Sequence, residues 1–347
     1  MNKFKGFVIA SIAVVSFQAH ASLGSLMNIA STAQDAKEKY DTASELAGKA
    51  RNYLNQQQQG VQQLVATNSG VTRGQANCPD HYPVGAPKVV SGEVEKIERR
   101  SFFLCREGYA VQFDPQKKTP LWTSEYLSAS LLRGGKEERT DDFRPDPAVP
   151  NGAQATLSDY RGSKFDRGHV VPAADMNGRN PNAMSETFFL TNMVPQVGPN
   201  NNRGIWADLE NQVRNWAMAR GRLHVVTGPI FAGQYDTMGR SKVAIPTHLY
   251  KVVLDPKNGE TIAFILPNVQ IKTPKVRRYD AGNPQYSQTL PEKAYDCNSN
   301  CNLGNFVAKV SDVERATGLK FFTGLNEQQR TQIVNANPGR FAIGKTR

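Results

Sequence analysis

The feature that most constrains this fold is a series of short β-prone runs separated by turn signals, which fills the chain after Gly74. In the clearest example, Tyr-Lys-Val-Val-Leu at 250–254 is followed by Asp-Pro-Lys-Asn-Gly at 255–259 and by a second apolar run at 261–266. Two such runs around a glycine-containing turn are typical of a β-hairpin. Further strands are predicted at 102–105, 109–113, 121–122 and 224–227, and helical spacing recurs at about 202–220 and 310–317. We therefore expect an α+β domain with a mainly antiparallel central sheet over residues 75–347.

The N-terminus carries two segments of different composition. Lys3 and Lys5 precede twelve residues without charge at 6–17, and Ala-His-Ala at 19–21 has the small-x-small pattern of a cleavage site. This run is too short to span a bilayer, so it predicts a signal peptide, residues 1–21, cleaved after Ala21. We then expect a periplasmic or secreted chain without stable membrane insertion. Residues 22–74, rich in Ala and Gln and free of proline, predict a helical extension that serves as a stalk, binds a partner or oligomerises.

The chain is strongly basic. It has 42 Lys+Arg against 31 Asp+Glu, a formal net charge of +11, which removal of Lys3 and Lys5 would reduce to +9. Nearly all of this excess belongs to residues 75–347. A basic exported protein suits a polyanionic partner, either nucleic acid or an anionic envelope surface, although charge that serves only solubility explains the count equally well.

Four cysteines, Cys78, Cys105, Cys297 and Cys301, form an even set. In an exported chain this number favours two disulfides, with three connectivities allowed. Closure of the short polar loop 297–301 on itself would leave Cys78 with Cys105. A zinc site is disfavoured because no histidine lies at a ligand spacing from a cysteine.

The most informative string is Asp-Arg-Gly-His at 166–169. The imidazole of His169 can accept a proton at neutral pH, and Arg167 can bind a phosphate with two parallel hydrogen bonds. Asp166 adds a carboxylate within the same turn. An ordinary surface turn with a salt bridge is the competing interpretation.

A second group of polar residues lies about thirty positions downstream. On a helix that begins near Asn202, the side chains of Trp206, Leu209, Val213 and Trp216 form one apolar stripe, with Asn202 on its axis and Glu210 nearby. An N-cap role suits Asn200 or Asn201. For Asn202 we predict a metal ligand, since amide oxygens suit Mg²⁺.

These strings, in this order and spacing, strongly resemble the DNA/RNA non-specific endonucleases, the Serratia-type nucleases that include endonuclease G. The resemblance rests on 166–169, on Asn-Met-Val-Pro-Gln at 192–196 and on Asn-Arg-Gly-Ile-Trp-Ala-Asp-Leu-Glu at 202–210. It extends over most of residues 78–325 and leaves 22–74 uncovered. It implies a ββα-metal core, in which a hairpin that bears the histidine packs on a helix that bears the metal ligand.

The resemblance also implies a role for each matching residue. His169 would be the general base, Asn202 the single protein ligand to Mg²⁺, and Glu210 the holder of a metal-bound water. Asp166 would support the hairpin and the water shell, and Asn192 would position His169 or the phosphate. Arg167 would contact phosphate, and a further arginine would assist catalysis, for which Arg139 is favoured over Arg144.

The sequence therefore predicts an exported Mg²⁺-dependent endonuclease that hydrolyses DNA and RNA, with Mn²⁺ as a substitute metal. Two alternatives stay open: a non-catalytic nucleic-acid-binding envelope protein, and a secreted nuclease toxin or effector whose residues 22–74 serve delivery or bind an immunity protein. Only the family resemblance suggests that the protein forms a homodimer.

Overall fold

The computed structural model of the protein describes residues 78–90, 97, 100–135, 138–271, 302–337 and 341. Helices and antiparallel strands occur together in these ranges, which confirms the α+β prediction. The strands found there are β1 (Lys88–Val89), β2 (Phe102–Cys105), β3 (Tyr109–Asp114), β4 (Thr119–Ser128), β5 (Phe165–His169), β6 (Met193–Val197), β7 (Arg222–Ile230), β8 (Thr237–Met238), β9 (Val243–Ala244), β10 (His248–Asp255), β11 (Glu260–Pro267), β12 (Val307–Ala308) and β13 (Leu319–Lys320). The α-helices found there are α1 (Ala129–Arg133), α2 (Leu157–Tyr160), α3 (Pro181–Glu186), α4 (Ala207–Arg220), α5 (Val310–Thr317) and α6 (Glu327–Asn335).

Seven strands form one antiparallel sheet in the order β12, β11, β10, β7, β4, β3, β2. Its β10–β11 hairpin is the one predicted from the sequence. The carboxylate of Asp255 accepts hydrogen bonds from the backbone N–H of Lys257 and the side-chain amide of Asn258, both at 2.9 Å, and Gly259 adopts a φ of 67°. This turn chemistry sets the register of β10 and β11.

Both faces of the sheet are covered by apolar side chains. On one face α5 and α6 pack on Trp122 and Tyr250, two aromatics that belong to the core. On the other face lie Trp206 and the apolar residues of α4, so the predicted stripe is buried as a unit.

The predicted start of the helix at 202 is wrong, because α4 begins at Ala207. The nine residues before it, Gly198–Trp206, form an irregular turn whose backbone departs from helical geometry at Pro199, Asn200 and Gly204. Gly204 has φ −128° and ψ −112°, a conformation that interrupts the helical wheel. Asn202 therefore does not share the helix axis with the apolar stripe.

A disulfide joins Cys78 to Cys105. The sequence predicted this pairing on the assumption that Cys297 bonds to Cys301. The predicted partner bond, Cys297 with Cys301, lies outside the described residues. So do the signal peptide, residues 1–21, and the extension 22–74 with its proposed partner, and these domain limits stay predictions. Among the helices that the structure describes, none is long and apolar enough to cross a membrane.

Candidate active site

The predicted catalytic motif lies on β5, which pairs with β6 in a hairpin separate from the central sheet. The antiparallel register sets Asp166 opposite Gln196 and His169 opposite Met193. A Cβ atom at Gly168 would lie only 2.3 Å from Oε1 of Gln196, a side chain that is fully buried. The absence of a side chain at Gly168 therefore allows the close strand approach that fixes His169 at the end of the hairpin.

The imidazole of His169 stands edge-on to two phenylalanine rings, with centroid distances of 4.9 Å to Phe188 and 5.5 Å to Phe143. Its Nε2 atom is covered by protein and has no hydrogen-bond partner within the described ranges. Burial, followed by the positive charges of Arg139 and Arg167, lowers the pKa of His169 to about 3. The ring is therefore neutral at pH 7 and can accept a proton.

Asn192 is fully buried just before β6. Its Oδ1 accepts a hydrogen bond from the backbone N–H of Val171, and its Nδ2 donates to the carbonyls of Val171 and Thr187, each at 2.9 Å. The backbone carbonyl of Asn192 accepts a further bond from Val170 at 3.0 Å. These contacts tie the segment after His169 to β6. Of the two roles that the resemblance implied for Asn192, the geometry supports positioning rather than contact with phosphate.

The structure brings Asp166 and Asn202 together. Nδ2 of Asn202 donates to Oδ2 of Asp166 at 3.0 Å, and Nε of Arg203 lies 3.0 Å from the same oxygen. A Cβ atom at Gly198 would lie 2.7 Å from that oxygen as well, so the irregular turn closes tightly around the carboxylate. Because the Nδ2 end of the Asn202 amide is taken by Asp166, Oδ1 is the end left for a ligand.

The predicted N-cap role is wrong for both Asn200 and Asn201, since the residue at the N-cap of α4 is Trp206. Asn201 is buried and donates to the carbonyls of Pro267, at 2.7 Å, and Val269, at 2.8 Å. These bonds attach the irregular turn to the end of β11. Asn200 instead adopts a φ of 64°, in the left-handed region that asparagine tolerates.

Glu210 lies in the first turn of α4. Burial raises its pKa to about 7, against the lowering effect of the positive charges of Lys251 and Arg214. Lys251 is itself 1% exposed, and its Nζ donates to Oγ1 of Thr227 at 2.8 Å. A buried charge of this kind requires neighbours of opposite sign.

Sequence reasoning missed the ionic layer beneath Glu210, which consists of Lys251, Arg214, Asp175 and Glu125. Arg214 donates to Asp175 at 2.6 Å. Burial and then the Asp175 carboxylate raise the pKa of Glu125 well above its usual range. The available signal was a charged residue inside a β-prone run, as at Lys251 and Glu125.

Three candidate arginines lie over phenylalanine rings. Arg139 covers Phe188 at 4.8 Å and Arg167 covers Phe143 at 4.0 Å, the same two rings that contact His169. Arg144 covers Phe189 at 4.2 Å, and its NH1 donates to the carbonyl of Ser185 at 3.1 Å. Arg139 shares its ring with the histidine, which favours Arg139 over Arg144 as the assisting arginine.

The side chains of Asn202 and Asp166, which are in hydrogen-bond contact, suit a divalent cation. Their amide and carboxylate oxygens are hard ligands of the kind Mg²⁺ prefers, and Glu210 in the first turn of α4 offers a further carboxylate. Among the residues described, no group of three or more His, Cys, Asp or Glu side chains could hold a metal ion. Mg²⁺ itself binds through one or two protein oxygens and keeps several waters.

Comparison with known proteins identifies the family. The family model for DNA/RNA non-specific endonuclease matches residues 93–328. Nuclease C1 of Cunninghamella echinulata var. echinulata is 37% identical over 240 residues, which cover 65% of this chain and 84% of the relative. Human "Endonuclease G, mitochondrial" is 33% identical over 226 residues, which cover 62% of this chain and 68% of the relative.

A solved structure supports the fold. A chain from the crystal structure of an EndoG/EndoGI complex superposes with a TM-score of 0.54 and 24% sequence identity, over 70% of this chain and 96% of that one. This likeness agrees with the ββα arrangement of β5, β6 and α4. Nucleases of this family use a divalent metal, in agreement with the donor set around Asn202.

The predicted periplasmic or secreted location is contradicted by the relatives. "Nuclease 1, mitochondrial" of Schizosaccharomyces pombe is 35% identical over 246 residues, covering 66% of this chain and 68% of the relative, and the human endonuclease G also carries a mitochondrial name. The location prediction is therefore wrong. The match over 93–328 is long enough to settle the family: the chain belongs to the DNA/RNA non-specific endonucleases, enzymes that hydrolyse phosphodiester bonds.

Proposed function

We propose that the protein is a Mg²⁺-dependent endonuclease that cleaves DNA and RNA by attack of a water molecule on phosphorus, with His169 as general base. The observation that carries this proposal is the half-buried imidazole of His169 at the end of β5, which is held neutral by its low pKa and whose Nε2 has no hydrogen-bond partner within the described ranges. A neutral imidazole can take the proton of an attacking water.

A pKa of about 3 makes a weak base, but its causes change when substrate binds. Two of them are the positive charges of Arg139 and Arg167. A phosphate that pairs with these arginines cancels their effect on the imidazole and so raises the pKa of His169, while burial, the largest cause, continues to lower it. Substrate binding would thus make His169 a stronger base than it is in the free enzyme.

Each remaining residue has a separate task. Arg139 and Arg167 would neutralise the phosphate, and Arg144 would contact the substrate further out. Asn192 would hold the segment that follows His169. Contacts of this kind are made to phosphate and carry no base information, in agreement with cleavage that ignores sequence.

Asn202, through its Oδ1, would hold the divalent cation, while Asp166 and Glu210 would hold water molecules around it. When bound, the cation supplies Lewis-acid stabilisation of the charge that develops on the phosphate oxygens. Mn²⁺ would substitute, since it accepts the same oxygen ligands.

The test is digestion of plasmid DNA and of RNA by the purified protein in a Mg²⁺ and Mn²⁺ series and in EDTA. We expect cleavage of both polymers with either metal, none in EDTA, and a loss of about 10²–10⁴-fold in His169→Ala. Asn202→Ala should need more metal. His224→Gln, which alters a histidine of the sheet, is the matched control and should retain activity. Full activity of His169→Ala, or cleavage in EDTA, would refute the assignment, and binding without cleavage would favour the non-catalytic alternative.

A further inference from the structure

A second basic surface lies beside the catalytic hairpin, on two turns that the proposed mechanism does not use. Arg161 and Lys164 lie in the turn 161–164 that leads into β5, and Arg240 and Lys242 lie in the turn 239–242 between β8 and β9. All four side chains are exposed. None of them forms an ion pair with another residue in the described ranges. These two turns are called the accessory strip below.

Asp159, on the helix α2 that leads into the turn 161–164, holds the turn 239–242. Its Oδ1 accepts a hydrogen bond from the backbone N–H of Ser241 at 2.9 Å. A Cβ atom at Gly239 would lie 2.4 Å from the same oxygen and 2.7 Å from the Cα of Asp159, so the turn 239–242 rests directly on α2. The turn 239–242 therefore lies beside the helix that leads into the turn 161–164, and the carboxylate of Asp159 between them is buried and occupied by hydrogen bonds.

The accessory strip is continuous with the active site. Lys164 immediately precedes β5, and the five residues of that strand lead over about 13 Å to His169. Phe165, Arg167 and His169 alternate along β5 and so point to one face, with Arg167 midway. Met238 and Val243, which flank the turn 239–242, pack in one apolar cluster with Met193, the residue paired with His169.

An aromatic pair lies on the segment that leads into β8, the strand that precedes the turn 239–242. Three large apolar side chains are exposed in the part of the chain that the structure describes, and Tyr235, at 41%, is the one aromatic among them. Its ring lies 4.9 Å from that of Phe231, and Nζ of Lys117 lies 5.4 Å from the Phe231 centroid. Asp236 is the one exposed carboxylate in segment 231–244. Exposed aromatic rings among cations are what single-stranded nucleic acid binds, by stacking of bases and pairing of phosphates.

We propose that the accessory strip, with Tyr235 and Phe231, is a binding site for single-stranded nucleic acid several nucleotides away from the cleaved bond. The proposal rests on the proposed endonuclease function. The strand would run from the turn 239–242 across the turn 161–164 and along β5, with one unpaired base stacked on Tyr235. A duplex would use the cations but could not offer that base, so the site favours unpaired DNA or RNA.

Binding is measured first without catalysis. Fluorescence anisotropy of a labelled single-stranded 30-mer in EDTA gives the Kd across a salt series. Arg240→Gln with Lys242→Gln should weaken binding and reduce the slope of log K against log salt by about 1.4, since each single-strand phosphate contact contributes about 0.7. Lys257→Gln with Lys309→Gln is the matched control, because both lysines are exposed and Lys257 lies at the far end of β10 from the strip. An unchanged slope in the first variant would overturn the accessory site.

Base stacking on Tyr235 is tested separately from the charge of the strip. Tyr235→Leu should lower single-strand affinity by about tenfold and leave duplex affinity unchanged, whereas Tyr235→Phe should behave as the wild type, because stacking requires only the ring. Equal effects of Tyr235→Leu on both substrates would contradict the proposed preference. The double variant Arg240→Gln with Lys242→Gln is called the charge variant. If it instead lost binding to anionic phospholipid vesicles and kept its oligonucleotide affinity, the strip would be a membrane-binding surface and the proposal would be wrong.

Cleavage then separates this proposal from the one on which it rests. A dinucleotide is too short to reach the strip, so the charge variant should cleave it with wild-type kcat and KM but show a raised KM for the 30-mer. Wild-type protein that cleaves neither substrate would defeat the endonuclease function itself. Normal cleavage with an unchanged KM for the 30-mer would defeat the accessory site alone.

Discussion

Two histidines, His169 and His224, share a pKa lowered to about 3, yet we expect only His224 to be dispensable for cleavage. His224 lies in β7, is 1% exposed, and its Nε2 is 2.8 Å from Oγ of Ser124. Burial, followed by the charge of His81, lowers its pKa. A strand position within the core offers no access to substrate, so this histidine should influence stability rather than catalysis.

The sign and size of that influence follow from proton linkage. An unfolded chain protonates His224 below about pH 6.5, while the folded protein keeps it neutral down to about pH 3. Because the unfolded state binds more protons in this window, the contribution of His224 to the free energy of unfolding falls as the pH drops. Between pH 7 and pH 5 the loss is about 2 kcal/mol for one such group.

The perturbation is His224→Gln, which cannot titrate but can keep a hydrogen bond to Ser124. Urea unfolding at pH 7 and pH 5 should show that the variant loses about 2 kcal/mol less than the wild type between the two pH values, with the same m-value. Its nuclease activity at pH 7 should match that of the wild type. If variant and wild type lose equal stability on acidification, the low pKa of His224 and the reasoning from its burial are both wrong.

Three further outcomes follow from contacts in the site. Asn192→Leu leaves three buried backbone groups unsatisfied, so urea unfolding should show a loss of at least about 3 kcal/mol; an unaltered midpoint would contradict this. Gly168→Ala must displace β5 from Gln196, and kcat on a dinucleotide should fall by about 100-fold, which a wild-type rate would exclude. Lys251→Met removes the charge that favours ionised Glu210, so half-maximal activity at pH 7 should need about tenfold more Mg²⁺; the same requirement at pH 7 and pH 9 would speak against this role.

Local sequence patterns correctly predicted the secondary-structure elements that neighbouring residues determine. The β10–β11 hairpin follows from the turn that Asp255 organises, and α5 occupies the predicted residues 310–317. The proximity of Asp166, His169 and Asn202 came instead from the order and spacing of motifs that resemble a known family. A homodimer and the limits of residues 22–74 stay predictions.

Contacts between distant segments explain what the sequence could not show. The irregular turn before α4 is held by the carbonyl groups of Pro267 and Val269, more than sixty residues away. The helical spacing of the sequence therefore predicted a helix there wrongly. Lys251 can be buried because two other elements, β4 and α4, place the acids Glu125 and Glu210 near it. From the sequence alone, a lysine within a strand is predicted to face solvent.

The stacking of arginines on phenylalanines has a consequence for how substrate is captured. Arg139 and Arg167 lie over the rings of Phe188 and Phe143. Immobilising a long flexible side chain on binding typically costs about 0.5–1.5 kcal/mol, and contact with the rings reduces that cost because it already restricts both guanidinium groups. Lysine could not replace them, because a point charge on a mobile stem gains little from a ring face. Two phenylalanines that need never touch nucleic acid would thus help to set how tightly the enzyme holds it.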